Sequence, residues 1–150
     1  FYVGRDGCRA PMQWADGPQA GFTTGTPWLP VHPDYIFRNV SALKADPESL
    51  WHFYHRLIQL RRQSPALRAG MFQWLTFQPR KLLAYLRQTA TETALVALNF
   101  SPVNLRLTLS KELIGRNWHL GISTHHGTVP VITDGWLPLE PYEALVLIEP

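Results

Sequence analysis

Cysteine is almost missing from this chain: Cys8 is the only one in 150 residues. A lone thiol closes no internal disulfide and completes no zinc-type ligand set, which leans towards a reducing, cytoplasmic compartment. No apolar run is long enough to span a bilayer, and no leader-like segment opens the sequence. The first residue is Phe1 instead of Met, with a loop-like motif straight after it, so the natural start is expected upstream and the missing leader carries no weight. An excess of one charge is lacking too, with 14 Lys and Arg against 11 Asp and Glu. Arg56, Arg61, Arg62, Arg68, Arg80 and Lys81 are scattered and do not form a basic run with interleaved aromatics. Neither nucleic acid nor membrane is therefore an expected partner. There is no G-x-S-x-G elbow and no Cys/His pair at a recognised spacing. Nor is the composition that of a disordered chain: 45% hydrophobic and 17% charged residues suit one ordinary domain, or a small domain plus a piece of another.

What is present is concentrated near the start. Gly4-Arg5-Asp6-Gly7-Cys8-Arg9-Ala10-Pro11-Met12-Gln13-Trp14 crowds charge, turn formers and an indole together, and Ala20-Gly21-Phe22-Thr23-Thr24-Gly25 adds a second glycine-bounded segment. Gly4 and Gly7 permit turns that bring Arg5, Asp6 and Arg9 close, while Pro11 fixes its own φ ahead of Trp14. A guanidinium offers a rigid fork of donors to hydroxyls, a carboxylate can hold that fork still, and an indole face packs against the apolar side of a sugar ring. These residues make a binding loop.

Residues 1–46 read as one long loop, with Gly, Pro, Thr and Trp recurring without helical or strand period. Connections are typically ~4–6 residues, so a loop of this length is functional or disordered. Disorder fits poorly with Trp14, Phe22, Trp28, Tyr35 and Phe37. Asp46-Pro47-Glu48 is a helix start, and Leu50, Phe53, Tyr54, Leu57, Ile58 and Arg61 recur at helical spacing to about residue 63. Ser64-Pro65 breaks that helix, and one more turn closes at Gly70. Trp51, Phe53 and Tyr54 are expected to pack in a core.

After Gly70 the period becomes alternating. Strands are predicted over 71–76, 82–88, 93–100, 104–109, 118–122 and 144–148, with turns at Gln78-Pro79-Arg80, Ala90-Thr91-Glu92, Ser101-Pro102 and Gly115-Arg116-Asn117. Short strands with regular turn signals predict an antiparallel sandwich or Greek-key barrel.

The opening motif, together with Ala20-Gly21-Phe22 and Pro27-Trp28-Leu29-Pro30-Val31, resembles the late part of an α-glucosidase of glycoside hydrolase family 13, the α-amylase superfamily. The likeness runs from residue 1 through the helix near residue 64, and the remainder is similar in pattern to the family's C-terminal β-domain. Ala10 stands where Thr is usual. Ala15 stands where Asp usually follows the Trp, although Asp16 comes one place later.

The resemblance implies a mixed fold. Residues 1–70 would be the end of a (β/α)8 barrel, a substrate loop plus the eighth helix, and residues 71–150 a C-terminal antiparallel β-sandwich domain. It implies a parent enzyme that hydrolyses terminal α-glucosidic bonds of oligosaccharides with retention, or a transglycosylase of the trehalose synthase or sucrose isomerase kind. It also leaves open a non-catalytic carbohydrate-binding or accessory module. The family's Asp nucleophile, Glu acid/base and second Asp come from earlier barrel strands, and their motifs are absent from these residues, so the 150-residue chain alone is expected to be inactive. Its expected partners are an α-glucoside substrate and the upstream barrel portion, with no cofactor and no metal.

Candidate site residues follow the same division. The resemblance makes Arg9 the substrate-binding residue, holding the hydroxyl at the non-reducing end. Spacing alone reads Arg9 as a structural ion-pair partner of Asp6 or Asp16. Arg5, Asp6, Trp14 and Asp16 are read as loop-structuring. Retaining hydrolysis needs carboxyl groups ~5–5.5 Å apart, one of them protonated. Asp6 and Asp16 beside arginines are instead expected to be salt-bridged and ionised, which leaves no acid. His119, His125 and His126 suggest a solvated turn more than a metal site, since adjacent histidines in an extended segment face opposite ways. Cys8 is expected to be a packed thiol, and Trp74, Trp118 and Trp136 to serve core or inter-domain packing more than a sugar platform.

Overall fold

A computed structural model describes residues 4–78 and 80–150. The Pro79 part of the predicted Gln78-Pro79-Arg80 turn and the reading of Phe1 lie outside the described residues. The chain divides into two compact units, Phe1–Arg56 and Leu57–Pro150, with the division falling inside a helix.

The first unit is not wholly loop. Short 3-10 turns occupy Asp6–Cys8, Pro18–Gly21 and Pro33–Ile36, and helix α1 spans Val40–Ala45. The Asn39 side chain caps α1 by accepting from the Ala42 N–H at 2.8 Å, while its own amide donates to the Tyr35 carbonyl at 2.8 Å. That capping overrides the loop reading of residues 40–45.

Helix α2 covers Leu50–Gln63, later than the Asp46-Pro47-Glu48 signal. Asp46 does act as a local acceptor, taking the Glu48 N–H on its carboxylate at 3.0 Å, but this closes a turn before the helix. The expected apolar face forms and stays uncovered: Leu50, Tyr54 and Ile58 are 69%, 60% and 55% exposed, and Trp51 and Phe53 are only half-buried. Core packing of Tyr54 is thus not seen.

In the second unit α3, Pro65–Ala69, starts at Ser64, whose hydroxyl accepts from the Leu67 N–H and pairs with Glu92 Oε1. Gly70 ends it with an N–H···O bond to Ala66 at 2.9 Å. A Cβ here would meet the Ala66 oxygen at 2.6 Å and the Gln88 nitrogen at 2.7 Å, so close backbone approach is what requires glycine.

Seven strands follow: β1 Met71–Gln78, β2 Leu82–Gln88, β3 Thr93–Asn99, β4 Leu105–Thr108, β5 His119–Ser123, β6 Trp136–Leu139 and β7 Ala144–Glu149; a short helix, α4, Lys111–Ile114, lies between β4 and β5. All pairings are antiparallel. The first sheet runs β1-β2-β3-β7-β5, and β4 pairs with β6 in a second. Period-2 alternation sends Leu82, Ala84, Leu86, Leu95, Ala97, Leu145 and Leu147 of the large sheet to one core, where Leu107, Leu137 and Leu139 of the small sheet meet them. The predicted antiparallel sandwich is therefore observed, with β6 and α4 as additions. Trp118 is buried in this core, its indole N–H donating to the Leu113 carbonyl at 2.9 Å.

Candidate functional site

The loop motif is built in the first unit from backbone outward. The Asp6–Cys8 turn is closed by Cys8 N–H to Arg5 oxygen at 2.9 Å and by Arg9 N–H to Asp6 oxygen at 3.0 Å. Arg5 and Arg9 therefore flank one turn, both exposed, with Asp6 half-buried. Among the described residues no ion pair joins Arg5 or Arg9 to Asp6 or Asp16. The expected salt bridges to Asp6 and Asp16 are not formed: the turn brings the groups together through its backbone alone. Cys8 is exposed and not packed.

Trp14 is held at its backbone. Its N–H and that of Ala15 both donate to the Ala20 carbonyl, at 2.8 and 3.0 Å, and its own carbonyl accepts from the Ser41 N–H and hydroxyl, each at 3.0 Å. Ala20 reaches that position because Gln19, Ala20 and Gly21 adopt positive φ in succession, 52°, 54° and 67°. Such a run costs energy at non-glycine residues, and Ala20, fully buried, has the smallest side chain that fits. The Trp14 ring remains half exposed and Asp16 is exposed.

A second set of contacts ties this loop to residues 32–40, and sequence reasoning missed it. Gln13 accepts from the Val40 N–H at 3.0 Å through its carbonyl. Its side-chain amide donates to Asp34 Oδ1 at 2.9 Å and to the Arg38 carbonyl at 2.7 Å. Asp34 Oδ1 also lies 2.5 Å from His32 Nδ1, and Arg38 approaches Oδ2 at 3.5 Å. Hydrogen bonding to His32 first, then to Gln13, holds the Asp34 carboxyl below its ordinary value. The Pro33-Asp34 turn signal was the one visible hint.

In the second unit, His125 Nδ1 pairs with the Thr124 hydroxyl at 2.8 Å, in an exposed turn as expected. His126 differs: its Nε2 lies 3.4 Å from Oε2 of Glu143, a carboxylate only 1% exposed. Glu143 also accepts from the Ser123 hydroxyl at 2.8 Å and the Glu140 N–H at 2.9 Å. The arrangement pins the turn after β5 to the turn before β7. No group of three or more metal-ligating side chains is found among the described residues. No described helix is long and apolar enough to cross a membrane.

In chain order, a turn-built loop with exposed guanidinium and indole groups precedes a helix and an antiparallel sandwich. Residues 2–70 match the family described as "Alpha amylase, catalytic domain", and residues 72–146 match "Maltogenic Amylase, C-terminal domain". The chain belongs to the α-amylase family, glycoside hydrolase family 13. It is similar to an oligo-1,6-glucosidase of Parageobacillus thermoglucosidasius, at 39% identity over 83% of this chain and 22% of that one. It is also similar to the oligo-1,6-glucosidase of Bacillus cereus, at 34% identity over 97% of this chain and 26% of that one. Among solved structures, the trehalulose synthase of Pseudomonas mesoacidophila superposes with a TM-score of 0.81 at 33% identity, covering 97% of this chain and 26% of that one. The chain thus spans about a quarter of the length of these relatives. The fold is an end piece of the α-amylase catalytic domain followed by a β-sandwich.

Proposed function

We propose that this chain is the carboxyl-terminal part of a retaining α-glucosidase that acts on terminal α-glucosidic bonds of oligosaccharides. Residues 1–70 complete the catalytic barrel with a substrate loop and its eighth helix, and residues 71–150 form the C-terminal domain. Arg9 binds substrate, and Arg5, Asp6, Trp14 and Asp16 shape the loop that carries it. What supports this reading above all is that the Arg9 guanidinium is exposed on a clamped turn and forms no ion pair with Asp6 or Asp16. A fork of donors in that state can take a sugar hydroxyl, and holding the terminal glucose fixes the anomeric carbon in line with a nucleophile. The uncovered face of α2 supports the barrel assignment, because Leu50, Tyr54 and Ile58 offer apolar surface to upstream barrel strands.

Two carboxyl groups do the covalent chemistry of retaining hydrolysis, one as nucleophile and one as acid then base. The motifs for both are absent from these 150 residues, so the chain alone leaves glucosides intact in this proposal, which needs no cofactor. Transglycosylation through the same covalent intermediate is a second reading, favoured by the likeness to a trehalulose synthase. A cytoplasmic location, suggested by the single cysteine, belongs to the same proposal.

The test is to read the native polypeptide upstream of Phe1 for the catalytic Asp, Glu and Asp, then to assay isomaltose hydrolysis with and without Arg9→Ala. The reading expects those residues and a fall in turnover of about a hundredfold from a mispositioned sugar. A native chain beginning at Phe1, or unchanged turnover in the variant, would overturn it.

A further inference from the structure

The outer face of the small sheet carries features that neither the core nor the proposed active site uses. Alternation along β4 and β6 buries Leu107, Leu137 and Leu139 and turns Arg106, Trp136 and Pro138 outward. Arg106 pairs with Pro138 across the ladder. Trp136 starts β6 directly after a tight hairpin turn: Thr133 and Trp136 exchange backbone bonds at 3.1 and 2.9 Å around Asp134 and Gly135, whose φ values are 50° and 79°. Two consecutive left-handed residues are the signature of a type I′ turn, which matches strand twist and holds the strands rigidly. The Trp136 backbone is therefore held by the turn, and the residue is 40% exposed.

Beside it lies a cavity of about 360 Å³ lined by Arg106, Val131, Thr133, Asp134, Trp136 and Pro138. That volume lies in the range of about 300–1,000 Å³ usual for small-molecule sites. A second cavity of about 550 Å³ continues on the far side of Arg106 and Pro138, reaching Asn104, His126 and Glu140. Arg106 and Pro138 line both, so the two cavities adjoin on one face of the small sheet and are taken together as one groove.

We propose that this groove on the outer face of the small sheet is an oligosaccharide-binding site. The chemistry selects the ligand class. An indole face and a proline ring, with Val131 adding a further apolar surface, suit the C–H faces of successive hexose rings. Arg106 supplies donors, Asp134 an acceptor and Thr133 both, all exposed and therefore free to meet hydroxyls. One cation and one anion beside the indole leave the first cavity without net charge, which suits a neutral polyhydroxyl chain over a phosphate or an ammonium. The length of the groove suits several linked sugars over one. Binding here involves no bond making, so it stands or falls independently of the α-glucosidase reading.

The experiment follows the indole N–H resonances of the 150-residue chain during titration with maltotetraose and, separately, isomaltotetraose, with the Trp136 signal identified by its loss in Trp136→Phe. The expected result is a saturable shift of the Trp136 signal with either sugar while that of Trp74, exposed on β1, stays put. Trp136→Ala should weaken binding about tenfold, the equivalent of ~1.4 kcal/mol. Arg106→Gln, at an exposed position, removes the donor fork with the sheet intact and carries the test if the tryptophan variant fails to fold. No saturable shift with either sugar, equal shifts at Trp74, or unchanged affinity in Arg106→Gln would each overturn the site. Because no turnover is measured, a failure here leaves the α-glucosidase proposal untouched, and the reverse also holds.

Discussion

The side-chain amide of Gln13 donates to Asp34 Oδ1 at 2.9 Å across 21 positions of sequence. Through this bond the motif loop and the segment leading into α1 share one carboxylate, which His32 and Arg38 also contact. Asp34→Ala should release the loop without unfolding the sandwich. Amide exchange should then accelerate at Val40 and Ser41, whose N–H groups bond to Gln13 and Trp14, and stay unchanged at β3. Equal acceleration at β3 would contradict a local role.

The same carboxylate sets a pH dependence. Folding lowers the Asp34 pKa below 3.8, so its contribution is complete above that value and is lost as pH falls through the lower, folded value. Protection of Val40 and Ser41 should therefore decline in the native protein as pH falls below the ordinary carboxylate value and through the lowered one. In Asp34→Asn that acid-side step should be missing, as exchange measured along a pH series would reveal.

Gly70→Ala places a methyl against two backbone atoms that belong to α3 and β2. Neither is the end of a flexible side chain, so the strand or the helix must move. Urea unfolding should show a loss of about 1–3 kcal/mol. Gly17→Ala meets nothing within 4 Å and serves as the control.

Glu143→Ala leaves the Ser123 hydroxyl and the Glu140 N–H without their carboxylate partner inside the sandwich. The expected cost is about 3 kcal/mol by denaturant unfolding. Replacing His126 with Gln should cost clearly less, since His126 is half-buried and Glu143 keeps its other partners.

Arg9→Lys distinguishes a substrate contact from mere positive charge. In the proposed full-length α-glucosidase, lysine keeps the charge and loses the planar fork, so turnover of terminal glucosides should fall nearly as far as in Arg9→Ala. Recovery of most of the activity by lysine would argue for a charge effect alone.

Much of the second unit was legible in sequence because its signals are local. The apolar run from Leu82, bounded by the turn signals on either side, gave β2 its limits, and the Thr93 to Phe100 run missed β3 by one residue. β6 escaped because it is four residues long and contains Pro138, which an edge strand tolerates and a sequence pattern does not advertise. The α2 periodicity was readable, whereas the exposure of Leu50 and Tyr54 was not, since spacing says which residues share a face and not what lies against it. The loop site was legible only through a motif. The Asp34 hub joins residues 13, 32, 34 and 38, and no local spacing connects the first of these to the rest.

Strand β1 lies at the rim of the five-stranded sheet and contains no charged residue over Met71–Gln78, a composition that invites pairing with a neighbouring molecule. Its register slips between Trp74 and Thr76. The extra residue twists the strand halfway along, so another extended chain can follow its free hydrogen-bonding edge for only a few residues before losing step. The bulge thereby shortens the stretch of β1 along which a neighbouring strand could add in register.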